Sequence, residues 1–140
     1  MVTGRLPVET APVSLFVNGT LMRGLPLHRN LSGAAFLGMA RTAAMYRLYS
    51  VRDEHPAMLT APADDGARVS GEIYNLTLPH LQHVLAVEPA GLGLGVVDLE
   101  SGDKCLGILW TATRLPRRAV DISAFGGWRE YHASLSPHPG

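Results

Sequence analysis

The sequence has one cysteine in 140 residues, Cys105. One thiol cannot form an internal disulfide and cannot seed a thiolate metal centre. It lies in an apolar run, where a small buried hydrophobe is the expected reading rather than a nucleophile. Charge is scarce and cancels: charged residues make up 17%, and the 12 Lys and Arg balance the 12 Asp and Glu. No basic field exists to attract a phosphate backbone, so a nucleic-acid partner held by charge is excluded. No uninterrupted apolar run approaches the roughly 18 residues of a membrane-spanning helix. The first residues contain no apolar h-region of a secretory signal, so a cytoplasmic location is expected. The six histidines form no H-x-x-x-H or H-E-x-x-H pattern. His80 and His83, three apart, do not make a metal site, and no metal is expected.

What is present fits one domain with a core large enough to need no covalent staple. Residues 1–12 read as a flexible leader, 13–135 as the domain and 136–140 as a flexible tail. Val13–Asn18 is a short run of strand formers that breaks at Asn18-Gly19-Thr20, where Gly19 is expected to take positive φ. Leu25 to Leu31 reads as a short helix. Two strands are expected at about 35–43 and 45–51, and an extended piece at 57–59. Pro62–Gly66, PADDG, reads as a hairpin turn. From Arg68 to Leu76 the residues alternate, with Ser70, Glu72, Tyr74 and Leu76 sharing one face. Thr77 is the expected N-cap of a helix with Pro79 in its first turn and Leu78, Leu81 and Leu85 at helical spacing. That helix should stop near Glu88, because Pro89 follows. Strands at 94–99 and 104–111 flank a turn at Glu100–Asp103, and Trp128–Leu135 reads as a last helix. The elements do not alternate regularly. An α+β domain with a largely antiparallel sheet is expected, not a doubly wound parallel one.

LFVNGTLMRG, followed by a short helix, YRLYSV, VSGEIYNL and a helix ending in an acidic residue, resembles the γ-glutamylcyclotransferase-like superfamily. VNGTLMRG, YRLYSVRDEHPAM, PAGLGLGVVDLESG and DISAFGGWREY are similar to one branch, the allophanate hydrolase C-terminal domain and its free-standing relatives. The resemblance spans residue 13 to about 135. It implies a small mixed, largely antiparallel β-barrel flanked by short helices. It also implies a pocket in which the Asn18-Gly19-Thr20-Leu21 turn faces Glu88. The run Glu88-Pro89-Ala90-Gly91-Leu92-Gly93 combines features of the two branches.

The residues add their own argument. A carboxylate at a helix C-terminus opposes the macrodipole, so Glu88 is misplaced unless it has another task. Burial among Leu and Val would raise its pKa and suit it to proton transfer. The backbone amides of the turn can hold a carboxylate or a developing oxyanion, with side-chain help from Asn18 and Thr20. Arg23 can serve as a carboxylate anchor, and His28 and His55 as polar pocket groups. The expectation is a cofactor-free enzyme, monomeric or homodimeric. It would perform acid/base chemistry on a small anionic amide, carbamate or urea derivative, with Glu88 as the catalytic group. The alternatives are a γ-glutamyl-amine cyclotransferase releasing 5-oxoproline and a non-catalytic metabolite-binding or regulatory module.

Overall fold

The computed structural model describes residues 12–62, 64–115 and 117–135. The expected tail lies outside the described residues, as does the expected leader except for Pro12, which opens the first strand. In chain order the elements are β1 (Pro12–Val17), β2 (Ala35–Arg41), β3 (Tyr46–Val51), β4 (His55–Thr60), β5 (Ser70–Thr77), α1 (Leu78–Ala86), β6 (Leu92–Asp98), β7 (Lys104–Trp110), β8 (Ala119–Asp121) and α2 (Trp128–Leu135). Single 3-10 turns occupy His28–Leu31 and Ser123–Phe125.

β1 is the organising strand. It sits mid-sheet in the order β2-β5-β1-β7-β6, antiparallel to β5 and parallel to β7. Leu15, Phe16 and Val17 are all buried. A strand covered on both faces reads as a continuous apolar run, and the sequence shows one here. A second sheet, β4-β3-β8, is antiparallel throughout. The two sheets do not close into a hydrogen-bonded barrel. The larger sheet curls until its two ends touch at one isolated bridge, Thr42 with Leu99, and the smaller sheet remains separate. The α+β, largely antiparallel character is as the sequence indicates.

Two local expectations change. The PADDG segment is not a hairpin, because β4 and β5 belong to different sheets. It carries the chain from one sheet to the other, with Ala67 bridging back to Tyr46. The hairpin turn lies earlier, between β3 and β4, where Arg52 and Asp53 take φ of 53° and 58° and the Glu54 amide donates to Val51 O (2.9 Å). Two successive positive φ values match the twist of a tight hairpin. Asp53 tolerates this and hydrogen-bonds Ser50 (2.7 Å), but Arg is an unusual residue there, and the sequence carries no Gly to mark the turn.

α1 forms as its caps dictate. Thr77 Oγ1 accepts from the His80 amide, Pro79 occupies the first turn, and Leu81 and Val84 face the core. Trp128 is buried at the start of α2, beside Tyr131 and His132. No helix among the described residues is long and apolar enough to cross a membrane.

Candidate functional site

Where β1 ends, the chain makes a tight turn in which the Met22 amide donates to Gly19 O (3.0 Å). The other carbonyls of this turn are also taken from behind. The Leu27 amide donates to Thr20 O (3.0 Å), and His28 Nδ1 donates to Leu21 O (2.9 Å). With their carbonyls turned into the protein, the Gly19, Thr20 and Leu21 amides donate to no acceptor among the described residues. Main-chain N–H groups are rarely left so inside a protein, and three in a row are a set of donors open to a ligand.

Gly19 is required here for a different reason than positive φ, since its φ is not positive. A Cβ at Gly19 would stand 2.7 Å from Pro56 Cγ, so glycine lets β4 close over the turn. The two form one wall of a narrow pocket with a cavity volume of about 20 Å³. Its polar lining is Asn18, Gly19, Thr20, His55 and Glu88, and its apolar lining is Val17, Leu21, Pro56, Leu92 and Ile108. β1, β4, β6, β7 and the turn after α1 thus converge on it.

Glu88 has no ion-pair or side-chain hydrogen-bond partner among the described residues. Burial alone pushes its carboxyl from the ordinary 4.5 up to about 7. His55 is buried, and its Nδ1 donates to Pro56 O (3.0 Å), which leaves Nε2 without a protein partner among the described residues. Asn18, also buried, donates from Nδ2 to the soft Met58 sulfur (3.2 Å). No protein donor to its Oδ1 exists among the described residues. No three His, Cys, Asp or Glu side chains among the described residues are grouped to hold a metal ion.

Of the sequence candidates, Asn18, Gly19, Thr20, Leu21, His55 and Glu88 meet in this pocket, whereas Arg23 and His28 do not line it. His28 lies behind the turn, its ring 5.8 Å from that of Tyr74. The Arg23 guanidinium is drawn away from the pocket by Glu72 (3.4 Å) and the ring of Phe36 (4.0 Å). Glu72 itself was given no role by the sequence. It is a buried carboxylate for which burial works upward, but the Arg23 amide, the Tyr74 hydroxyl and Arg129 outweigh this and hold its pKa below the ordinary range. The signal was visible in β5. Glu72 shares the alternating face of Tyr74 and Leu76, so the face that buries two large apolar side chains buries a charge as well.

The allophanate hydrolase C-terminal domain model matches residues 13–133. A urea amidolyase of Lachancea kluyveri is 28% identical over 126 residues, covering 85% of this chain and 7% of that protein. The structure of a uropathogenic E. coli-specific protein is 38% identical with a TM-score of 0.82, covering 90% of this chain and 99% of its own. Allophanate hydrolase of Kluyveromyces lactis is 29% identical with a TM-score of 0.81, over 89% of this chain and 21% of that one. An AIG2-like protein from Mus musculus is 25% identical with a TM-score of 0.64, over 91% and 92%. Both levels of the resemblance read from the motifs are therefore present. The chain spans only a small part of the urea amidolyase and allophanate hydrolase relatives.

Proposed function

This chain belongs to the allophanate hydrolase C-terminal domain family, and from that premise we propose that its pocket releases CO2 from a small N-carboxylated amide or urea, with Glu88 as the acid. The observation that carries this reading is that the Glu88 carboxyl and the amides of the Gly19–Leu21 turn, none of which has a partner among the described residues, belong to residues lining a single narrow pocket, where burial pushes the carboxyl up to about 7.

The chemistry follows from what each group favours. The substrate carboxylate is attached to nitrogen. As the C–N bond breaks, its electron pair goes to that nitrogen and onto the neighbouring carbonyl oxygen, and neutral CO2 departs. The turn amides hold the carbonyl oxygen, where negative charge grows. Glu88, whose carboxyl burial pushes up to about 7, gives its proton to the nitrogen and recovers one from solvent. Val17, Leu92 and Ile108 place apolar walls around the reacting group, which disfavour the carboxylate and not the CO2 it becomes. His55 Nε2 accepts a substrate N–H and fixes the orientation. No step needs a cofactor.

The AIG2-like structural relative favours a second reading, cyclotransfer. There the Glu88 carboxylate would take a proton from an α-amine that attacks a side-chain amide carbonyl, then protonate the departing amine. The two differ in the form of Glu88 that is active. Carbon dioxide release needs the acid, so turnover should fall above pH about 7, whereas cyclotransfer needs the base and should fall below it. The test is turnover of N-carbamoyl acids, N-carboxylated ureas and γ-glutamyl amines by the wild type and by Glu88→Gln. The variant should lose about 100-fold or more in kcat with little change in KM. Unchanged turnover in Glu88→Gln removes the acid/base role. Binding without turnover of any class leaves the domain as a metabolite-binding module.

A further inference from the structure

The turn with the unpaired amides runs directly into a charged cluster that the pocket does not use. Glu72, on β5, is 0% exposed. Its Oε1 accepts from the Arg23 amide (2.9 Å) and the Tyr74 hydroxyl (2.9 Å). Its Oε2 accepts from Arg23 Nε (3.4 Å) and Arg129 Nη1 (3.2 Å). Arg129, on α2, donates as well to the Arg23 carbonyl. Both main-chain polar groups of Arg23 are therefore fixed from outside the turn, the amide by β5 and the carbonyl by α2.

β5 does not need this carboxylate to form. Its ladders to β1 and β2 are main-chain bonds, and an apolar side chain would fill the same space. Buried ion pairs are often no more stabilising than well-packed hydrophobes, so stability is a poor reason for the cluster. What an apolar side chain could not do is grip Arg23, two residues beyond Leu21. Three adjacent amides without partners are costly, and an unrestrained turn would rotate them towards protein acceptors or water. Two guanidinium groups against one carboxylate also leave net positive charge behind the turn, which favours an anion in front of it.

We propose that Glu72 and Arg129 are positioning residues: they clamp Arg23 so that the Gly19, Thr20 and Leu21 amides remain aimed into the pocket and free for a ligand. This makes α2, distant in sequence, part of the apparatus that shapes the site. The inference rests on reading that turn as the ligand-holding element.

The experiment is amide hydrogen exchange on the full chain as wild type, Arg129→Ala, Arg129→Lys and Glu72→Gln, combined with titration of N-carbamoylglycine. Arg129 is partly exposed, so its variants should fold even if Glu72→Gln does not. In Arg129→Ala, exchange at Met22, Arg23 and Leu27 should rise about tenfold more than in β6 and β7. Arg129→Lys should restore part of the protection, and affinity for N-carbamoylglycine should fall in the same order. A uniform rise across all strands, or an unchanged turn, overturns the clamp. If the wild type binds no N-carbamoylglycine while turn exchange responds as expected, the clamp is supported and the substrate class alone is wrong.

Discussion

At the residue scale, Glu88 and Gly19 show how a side chain, or its absence, defines the pocket. The folded protein holds Glu88 at about 7 against an ordinary 4.5 because burial penalises the charge. A raised carboxyl contributes no penalty below about pH 4.5, where it is protonated folded or unfolded. Between 4.5 and 7 the unfolded chain loses its proton first, so the folded state loses stability as pH rises, and above 7 the penalty is constant. Glu88→Gln removes it. The variant should match the wild type in unfolding free energy near pH 4 and exceed it by about 1–3 kcal/mol at pH 8, the range being discounted for partial exposure. Urea unfolding across that range would show it, and a constant difference would contradict the burial of Glu88. The same substitution that gains stability should cost turnover, as a residue held for function requires. Gly19→Ala tests the opposite wall. With Pro56 Cγ 2.7 Å from the new Cβ, the turn or β4 must move, at a cost of about 1–3 kcal/mol. A thermal melt reads that loss, and ligand affinity should fall with it.

At the element scale, α1 exists to deliver Glu88. Thr77 caps it, Leu81 and Val84 anchor it, and it ends just before the carboxylate enters the pocket wall. The cap is a single bond from the His80 amide to Thr77 Oγ1 (3.3 Å). Thr77→Ala should destabilise by about 1 kcal/mol, measured by chemical denaturation, with the pocket's pH dependence unchanged because Glu88 lies at the other end. These features were legible in the sequence because cap, proline and 3.6-residue spacing are local. The β3–β4 hairpin was not legible. Its positive-φ residues are Arg52 and Asp53, and the Gly and Asn that usually betray such a turn sit elsewhere. The tempting PADDG segment proved to be a crossing between sheets, because local turn chemistry does not say which strands will pair.

At the scale of the whole molecule, the two sheets are held together by a few long-range ties. Tyr46 Oη on β3 accepts the Asp98 amide of β6 (2.9 Å), and Ala67, just ahead of β5, bridges to Tyr46. Trp128, 1% exposed, fills the space at the start of α2. Trp128→Ala should cost about 3–5 kcal/mol by equilibrium urea unfolding, since the void cannot collapse without moving α2. Because α2 also carries Arg129, that loss should be accompanied by a loosened Gly19–Leu21 turn.

The sequence by itself determined the strand-turn opening at Val13–Gly24, the capped helix that ends near Glu88, the α+β character and the family, because each is written in neighbouring residues. It also paired the turn with Glu88, through motifs and not through distance. Only the tertiary structure decided the rest. It kept the sheets from closing into one barrel and put Pro56 against Gly19. It turned Arg23 and His28 away from the pocket and gave Glu72 two arginines. The physical reason is distance along the chain. Pro56 meets Gly19 across 37 residues, and Glu72 meets its arginines across 49 and 57; packing and the need to satisfy a buried charge choose such partners, and no local pattern encodes that choice.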